Sequence, residues 1–248
     1  MTNTSVNNTV RLFGAGLRAL LVLTLVCGVI YPLAVTGVAQ ALFSNQANGS
    51  EIKDGDGTVV GSSLIGQTYN LPKRNPDDAE EAARPDLKWF QPRPSNGLGS
   101  NSVNTQYSLI LSGATNRAGD NEELIQWVTD AKAAVVKDNS TASFKVKPAD
   151  VPADAVTSSG SGLDPDISPA YAKLQVHRVA ERNDLPVKEI EGLLTDHTTG
   201  RLLGFMGEPR VNVLELNTAL RDLIQGRWTS GEGPETGGVQ RLRIPPVP

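Results

Sequence analysis

Residues 19–39 read ALLVLTLVCGVIYPLAVTGVA, and the reading of the whole chain turns on them. The stretch has 21 residues and no charge. At 1.5 Å rise per residue, ~20 apolar residues cross the hydrocarbon core of a bilayer. Water is absent there, so a helix is the one way a single segment can satisfy its own backbone. The stretch therefore predicts a transmembrane helix over 19–40. Pro32 lacks an N–H and should kink this helix or leave a carbonyl free. Gly28 and Gly37 thin one part of its surface, which favours close approach by another helix, although Gly and Pro are also common in such helices for no further reason.

The flanks orient the helix. Arg11 and Arg18 precede it, and the first charge after it is Glu51. Positive residues stay inside, so residues 1–18 read as a cytoplasmic tail and the rest of the chain as extracytoplasmic. A cleavable signal peptide is the rival reading. Its apolar region spans ~7–15 residues, shorter than this one, yet Ala39-Gln40-Ala41 has the small-x-small form of a cleavage site. The single cysteine, Cys27, lies within the apolar stretch after Val26, where a lipid-anchored cysteine wants a small residue. One cysteine allows neither an intrachain disulfide nor a Cys-based zinc site.

The 248 residues suit one anchored domain or at most two small ones. Hydrophobic residues make up 39% and charged residues 20%, so a core can be buried. Outside the first fifty residues the chain holds 21 basic and 27 acidic residues, a balance of −6. With a pI near 5.3, that excludes general nucleic-acid binding.

Residues 44–226 read as one mixed α+β domain, and residues 227–248, rich in Gly and Pro, as a loose tail. Asp54-Gly55-Asp56-Gly57 between Ile52 and Val59-Val60 predicts a tight β-hairpin. A calcium loop fails there, because Ile65 stands where a bidentate Glu is needed. Residues 64–67 should continue the strand. Residues 72–86, with three prolines and several acids, predict a solvated loop, and Trp89 and Phe90 an aromatic anchor in the core. Residues 96–112 should be irregular.

Asp120 and Glu123 form a capping box ahead of a helix whose buried stripe is Leu124, Val128, Ala131 and Val135. Residues 138–160 read as a polar connection with a short strand at 143–146. Ser168-Pro169 opens a helix with Tyr171, Leu174 and Arg178 on one face and Val176, Val179 and Ala180 on another. Pro186 opens a second, with Val187, Ile190, Leu193 and Leu194. Residues 202–206 suggest a short buried strand. Asn212 and Glu215 cap a last helix with Val213, Leu216, Leu220 and Leu223, ending at Gly226. Regular βαβ alternation and internal repeats are both missing from the sequence.

Little catalytic chemistry is legible. The sequence has neither a phosphate-cradling G-x-x-x-x-G-K-[ST] nor a G-x-S-x-G nucleophile elbow. His177 and His197 lack metal-ligand spacing and read as surface or capping residues. Asp164 and Asp166 flank Pro165 and read as organisers of the turn before Ser168, with a carboxylate pair as the alternative. Arg210 follows Glu208-Pro209 and reads as half of an ion pair or as an anion clamp. An anchored hydrolase using Ser161, Asp164 and His177 is the enzymatic alternative.

Thr157-Ser158-Ser159-Gly160-Ser161-Gly162-Leu163-Asp164-Pro165-Asp166-Ile167-Ser168-Pro169 resembles the C subunit of Kdp-type potassium-transporting ATPases. So do Gln175-Val176-x-Arg178-Val179-Ala180, His197-Thr198-x-Gly200-Arg201 and Gly207-Glu208-Pro209-Arg210-Val211-Asn212-Val213-Leu214. Ser63-Leu64-Ile65-Gly66-Gln67, Arg93-Pro94-Ser95 and Tyr31-Pro32 within the span fit as well, so the resemblance runs from about residue 10 to 226. The acidic loop between Gln67 and Trp89 is longer than usual, Asp166 stands where His is frequent, and the tail after Gly226 has no counterpart.

The resemblance implies an accessory, non-pore subunit at the plasma membrane. It would stabilise assembly of a potassium-selective channel-like subunit with a P-type ATPase subunit. It implies no catalysis by the chain alone and no firmly held cofactor. Membrane lipid is the other partner, and nucleic acid is not one. Such subunits are also described as catalytic chaperones that raise the pump's ATP affinity, with Gln175 likened to the glutamine of an ABC signature loop. Any ATP contact would then come only through the complex. The other role for Gln175 is that of a helix residue hydrogen-bonded to a partner loop or to the Ser159–Asp166 turn. Tyr31, Pro32, Gly160, Asp164, Arg178, Glu208 and Arg210 are the candidate partner contacts.

Overall fold

A computed structural model describes residues 3–75, 77–78, 81–95 and 112–230. The chain divides into two compact units, residues 1–51 and 52–248.

The first unit is helical. α1 (Asn3–Leu25) runs into a π-helical turn, Val26–Ile30, and on into α2 (Tyr31–Leu42), followed by the single turn α3 (Ser44–Ala47). Residues 8–42 are long and apolar enough to cross a membrane, and none of that window is buried. Thirty-five residues of helix extend ~50 Å, so the helix outruns the ~30 Å hydrocarbon core predicted for 19–40. Pro32 does interrupt the α-helical pattern. It cannot donate to a carbonyl one turn back, and just before it the Tyr31 N–H reaches five residues back to Val26. This widened turn is a way for a helix to absorb a proline.

The second unit is mixed α+β. β1 (Glu51–Lys53) and β2 (Val59–Ser62) form the expected hairpin. Its turn is built by Asp54, whose Oδ1 accepts from the N–H groups of Asp56 and Thr58. The strand does not continue through 64–67. Ser62 turns the chain by accepting from Leu64 N–H, and Gly66 N–H bonds the Leu163 carbonyl instead of a ladder partner. The 72–86 loop is closed at its base by the Asn70–Pro85 bridge and by Leu71 N–H to Arg84 O at 2.8 Å.

α4 (Glu122–Asn139) starts one residue later than expected, because Asn121, not Asp120, caps it by accepting from Leu124 N–H at 3.0 Å. Its stripe at 124, 128, 131 and 135 faces inward as read. Residues 143–146 are not a strand. Their backbone is tied locally, Phe144 N–H to Thr141 Oγ1 and Val146 N–H to Ser140 Oγ, so no ladder forms. Two 3₁₀ turns, Pro148–Asp150 and Ala153–Ala155, follow.

The core lies under a three-stranded antiparallel sheet of order β3 (Asp166–Ile167), β5 (Arg210–Asn212), β4 (Thr198–Thr199). Val211 faces Ile167 on one side and Thr198 on the other. α5 (Pro169–Arg182), α6 (Val187–Asp196) and α7 (Val213–Ser230) pack with it. Phe90, Ile190, Leu216 and Leu220 are fully buried there, which accounts for the helical stripes. Ser168 caps α5 through Tyr171 N–H at 3.0 Å. α7 continues through Gly226 to Ser230, since one glycine costs a helix only ~1 kcal/mol. The rest of the expected tail, like residues 96–111, lies outside the described residues.

Residues 202–206 contradict the expectation of a buried strand. They form an exposed turn joined by one bridge between Leu202 and Met206. A five-residue apolar run carries no period from which to tell strand from turn. The left-handed backbone of Leu203 (φ 53°) and Gly204 (φ 82°) decides the matter.

Candidate functional site

The family-like motifs on α5 converge on a segment with no secondary structure of its own, residues 87–91. It turns at Leu87–Trp89, where Trp89 N–H bonds Asp86 O at 3.1 Å and Lys88 N–H bonds Asp86 Oδ1 at 3.2 Å, and then buries Phe90 completely, so the remaining backbone groups around Phe90 need partners. Side chains from α5 and α7 supply them. Asn217 on α7 accepts from Phe90 N–H and donates to Phe90 O, both at 2.9 Å. Gln175 on α5 treats Gln91 the same way, at 2.7 and 3.0 Å. Asn183 donates to Lys88 O at 2.8 Å. Each carboxamide imitates one rung of a β-ladder, and together they seat the Phe90 ring in the core.

Arg178, one helical turn after Gln175, completes the clamp. Its Nη1 donates to the carbonyls of Leu87 and Trp89, its Nε to Asn139 Oδ1 at 2.8 Å and its Nη2 to Gln175 Oε1 at 2.6 Å. The residue is 2% exposed. All four acceptors are neutral. Burial therefore pushes its pKa down, to about 10, with Tyr171 and Asp138 opposing the fall, and the group stays cationic at neutral pH. Burial likewise raises the Tyr171 and Tyr69 hydroxyls to about 12.

The expected residues are thus placed as follows. Gln175 is fully buried, its oxygen accepting two hydrogen bonds and its amine donating one; its partners are Gln91 and Arg178 rather than the expected Ser159–Asp166 turn. A cleft of about 210 Å³ beside the clamp is lined by Arg178, Asn139 and Tyr171 but not by Gln175. That volume is below the ~300–1,000 Å³ of drug-sized sites.

Asp164 does organise the turn before Ser168. Its Oδ1 accepts from Asp166 N–H at 3.0 Å, and its Oδ2 pairs with Arg93 at 3.0 Å. The Leu163–Asp164 backbone also lies so close to Gly66 that a Cβ there would stand 2.7 Å from Asp164 O. Gly66, Arg93 and Asp164 therefore form a second convergence of motif residues. Asp166 pairs with Arg210 at 3.1 Å, so the acid that partners Arg210 lies across the sheet rather than next in sequence. Burial raises the Asp166 pKa and Arg210 counteracts it. Glu208, at 2.9 Å from Arg201, and Gly160 are exposed. Tyr31 and Pro32 lie on the apolar helix.

Sequence reasoning missed Asn139, Asn183 and Asn217. The signal available was a polar residue interrupting an apolar stripe: Asn139 extends the 124-128-131-135 series by four, and Asn217 sits between Leu216 and Leu220.

The hydrolase constellation is not assembled. Ser161 Oγ contacts Ser159 and Leu163 N–H, Asp164 is held as above, and His177 stacks on Phe144 at 4.0 Å. Among the described residues no hydrogen bond joins the three, and no cluster of three or more His, Cys, Asp or Glu could hold a metal ion.

A family model for the K+-transporting ATPase, c chain, matches residues 13–222. The Potassium-transporting ATPase KdpC subunit of Streptomyces avermitilis is 74% identical over 222 residues, covering 90% of this chain and 98% of that one. The subunit of the same name from Streptomyces coelicolor is 68% identical over 222 residues, covering 90% and 97%. That of Mycobacterium tuberculosis is 43% identical over 206 residues, covering 82% and 94%. With its motifs built into one folded clamp and turn, and with this match along most of its length, the chain belongs to the KdpC family.

Proposed function

We propose that the chain is the accessory, non-pore subunit of an ATP-driven potassium uptake complex. It is a non-catalytic part that holds the potassium-selective and P-type ATPase subunits together. One helix anchors it, its N-terminus is cytoplasmic, and the mixed α+β domain sits on the outer side near the potassium entrance. The observation that carries this reading is how the motif polar groups are used. Gln175 and Arg178, joined by Asn217 on α7, spend their hydrogen bonds on groups of the chain itself, most of them backbone, as a docking platform requires and a turnover site does not. Arg11 and Arg18, which lie within the long helix just before its uncharged stretch 19–39, support the orientation.

The catalytic-chaperone role is the finer reading. A domain on the outer face meets almost no ATP, so any effect on nucleotide affinity reaches the pump through assembly, with Gln175 as a structural residue. The test combines extraction and protease access. The tagged full chain should carry multi-span partners through detergent purification, and its domain should be cut only from the outer face of sealed vesicles. Recovery as a lone species, or cleavage only from the inner face, contradicts the proposal.

A further inference from the structure

The cleft beside the clamp is lined by polar groups that the fold leaves unused. A guanidinium has five N–H donors. Arg178 spends four of them, on Asn139, Gln175, Leu87 and Trp89. The second N–H of Nη2 has no acceptor among the described residues, although the side chain is 2% exposed. Tyr171 is 4% exposed, and its hydroxyl makes no hydrogen bond among the described residues. Unlike the unpaired Tyr69 hydroxyl, it is not sealed inside the protein. Asp138, half-buried on α4, lines the same cleft and has neither a hydrogen bond nor an ion pair among the described residues. It acts electrostatically on both Arg178 and Tyr171, so the three groups are neighbours.

Buried polar groups ordinarily find partners. A cation edge, a hydroxyl and a carboxylate left open around one cleft therefore specify what would complete them. An anion alone would be repelled by Asp138, and a cation alone by Arg178. A molecule carrying both signs satisfies both. Pro85, Pro92, Pro94, Ala131 and Val135 supply the apolar wall, which suits a small aliphatic group. A volume of about 210 Å³ restricts the ligand to a few heavy atoms.

We propose that this cleft binds a small zwitterion of the α-amino-acid type, its carboxylate on the Tyr171 hydroxyl and the free Arg178 N–H, its ammonium on Asp138. The proposal is independent of the accessory-subunit reading, because every group it uses belongs to this chain. Ligand and clamp share Arg178, so occupancy should also steady the 87–91 segment.

The experiment is isothermal titration of the full chain in detergent with L-alanine and L-proline. Propionate, ethylamine and N-acetylalanine methylamide serve as probes with the anion alone, the cation alone and a neutral peptide group. Both amino acids should bind saturably in the millimolar range or tighter, raise the melting temperature, and outdo each of the three probes by about tenfold or more, since a hydrogen bond to a charged group contributes roughly that factor. Tyr171→Phe and Asp138→Asn remove groups without partners in the fold. Each should melt close to the parent and weaken alanine binding by about tenfold or more. Asp196→Asn, exposed on α6, should leave binding unchanged.

Absence of saturable binding by either amino acid overturns the proposal. So does propionate, ethylamine or the neutral amide binding as tightly as alanine, which would leave an anion, cation or peptide site. Undiminished binding by both variants does the same. The comparison of probes on the parent chain decides the matter even if a variant fails to fold, and neither result bears on assembly of the complex.

Discussion

Replacing Arg178 with methionine removes a buried cation while roughly keeping its volume. Asn139 Oδ1 and the Leu87 carbonyl then lose their donor, whereas Gln175 Oε1 keeps Gln91 N–H and the Trp89 carbonyl keeps Gln91 Nε2 at 3.3 Å. A buried acceptor left unpaired costs ~1–3 kcal/mol, so two cost roughly 2–6 kcal/mol. Against this stands relief of the guanidinium's desolvation. Its pKa falls from 12.5 to about 10, which corresponds to about 3 kcal/mol. The balance is a loss of about 1 kcal/mol, or a fall in Tm of roughly 2–4 °C for a domain of this size. Arg178→Lys restores the charge but not the planar fork that spans four acceptors, and should fall between the two. Near-UV circular dichroism of the full chain in detergent reads the melt, because Trp89 packs at 6.4 Å from Tyr69 beside the clamp. A Tm for Arg178→Met equal to or above the parent's, or a lysine variant as stable as the parent, would refute the clamp as the element that seats residues 87–91.

Three further outcomes are expected. Gly66→Ala drives a methyl against Asp164 O, so the 163–166 turn must move, and a loss of ~2 kcal/mol or more should appear in the same melt. Tyr69 and Tyr171 have folded pKa values near 12 against ~10 unfolded. The folded chain thus retains protons that the unfolded chain releases. The contribution of these tyrosines to stability is intact below pH 10 and is lost between pH 10 and 12, at up to ~1.4 kcal/mol per unit for each. Absorbance at the tyrosinate band should show both ionising only as the domain unfolds. Asp184 ends α5 at φ 54°, where Leu185 N–H bonds Ala180 O; Asp184→Gly should therefore stabilise the chain by up to ~1 kcal/mol in denaturant titration.

The parts of this fold that were legible in the sequence are those decided within one or two turns of chain. Ser168-Pro169, the Asp54–Gly57 turn and the α4 stripe each rest on neighbours a few residues apart, and local capping and burial settle them. The clamp was not legible, because its hydrogen bonds join residues 84 and 127 apart in sequence and local spacing does not report such pairs. Gln175 and Arg178 stood out only through a family motif, which named the positions without their partners. Residues 202–206 misled for another reason. Composition suggested burial, and the left-handed backbone at Leu203 and Gly204 that exposes them leaves little trace beyond a single glycine. Residues 143–146 alternate inward and outward like a strand, but hydroxyls from Ser140 and Thr141 take the backbone partners a ladder would need.

The most direct measurement is the KM for ATP of the assembled transporter carrying Gln175→Glu. The glutamate keeps an oxygen for Gln91 N–H and gains an ion pair with Arg178, which offsets the donor that the Gln91 carbonyl loses, so the domain should fold and dock. If the motif residues act as struts of an accessory subunit, the complex is recovered and its KM for ATP matches the parent's. A complex recovered in full with a KM raised several-fold would assign Gln175 to the nucleotide and contradict the account.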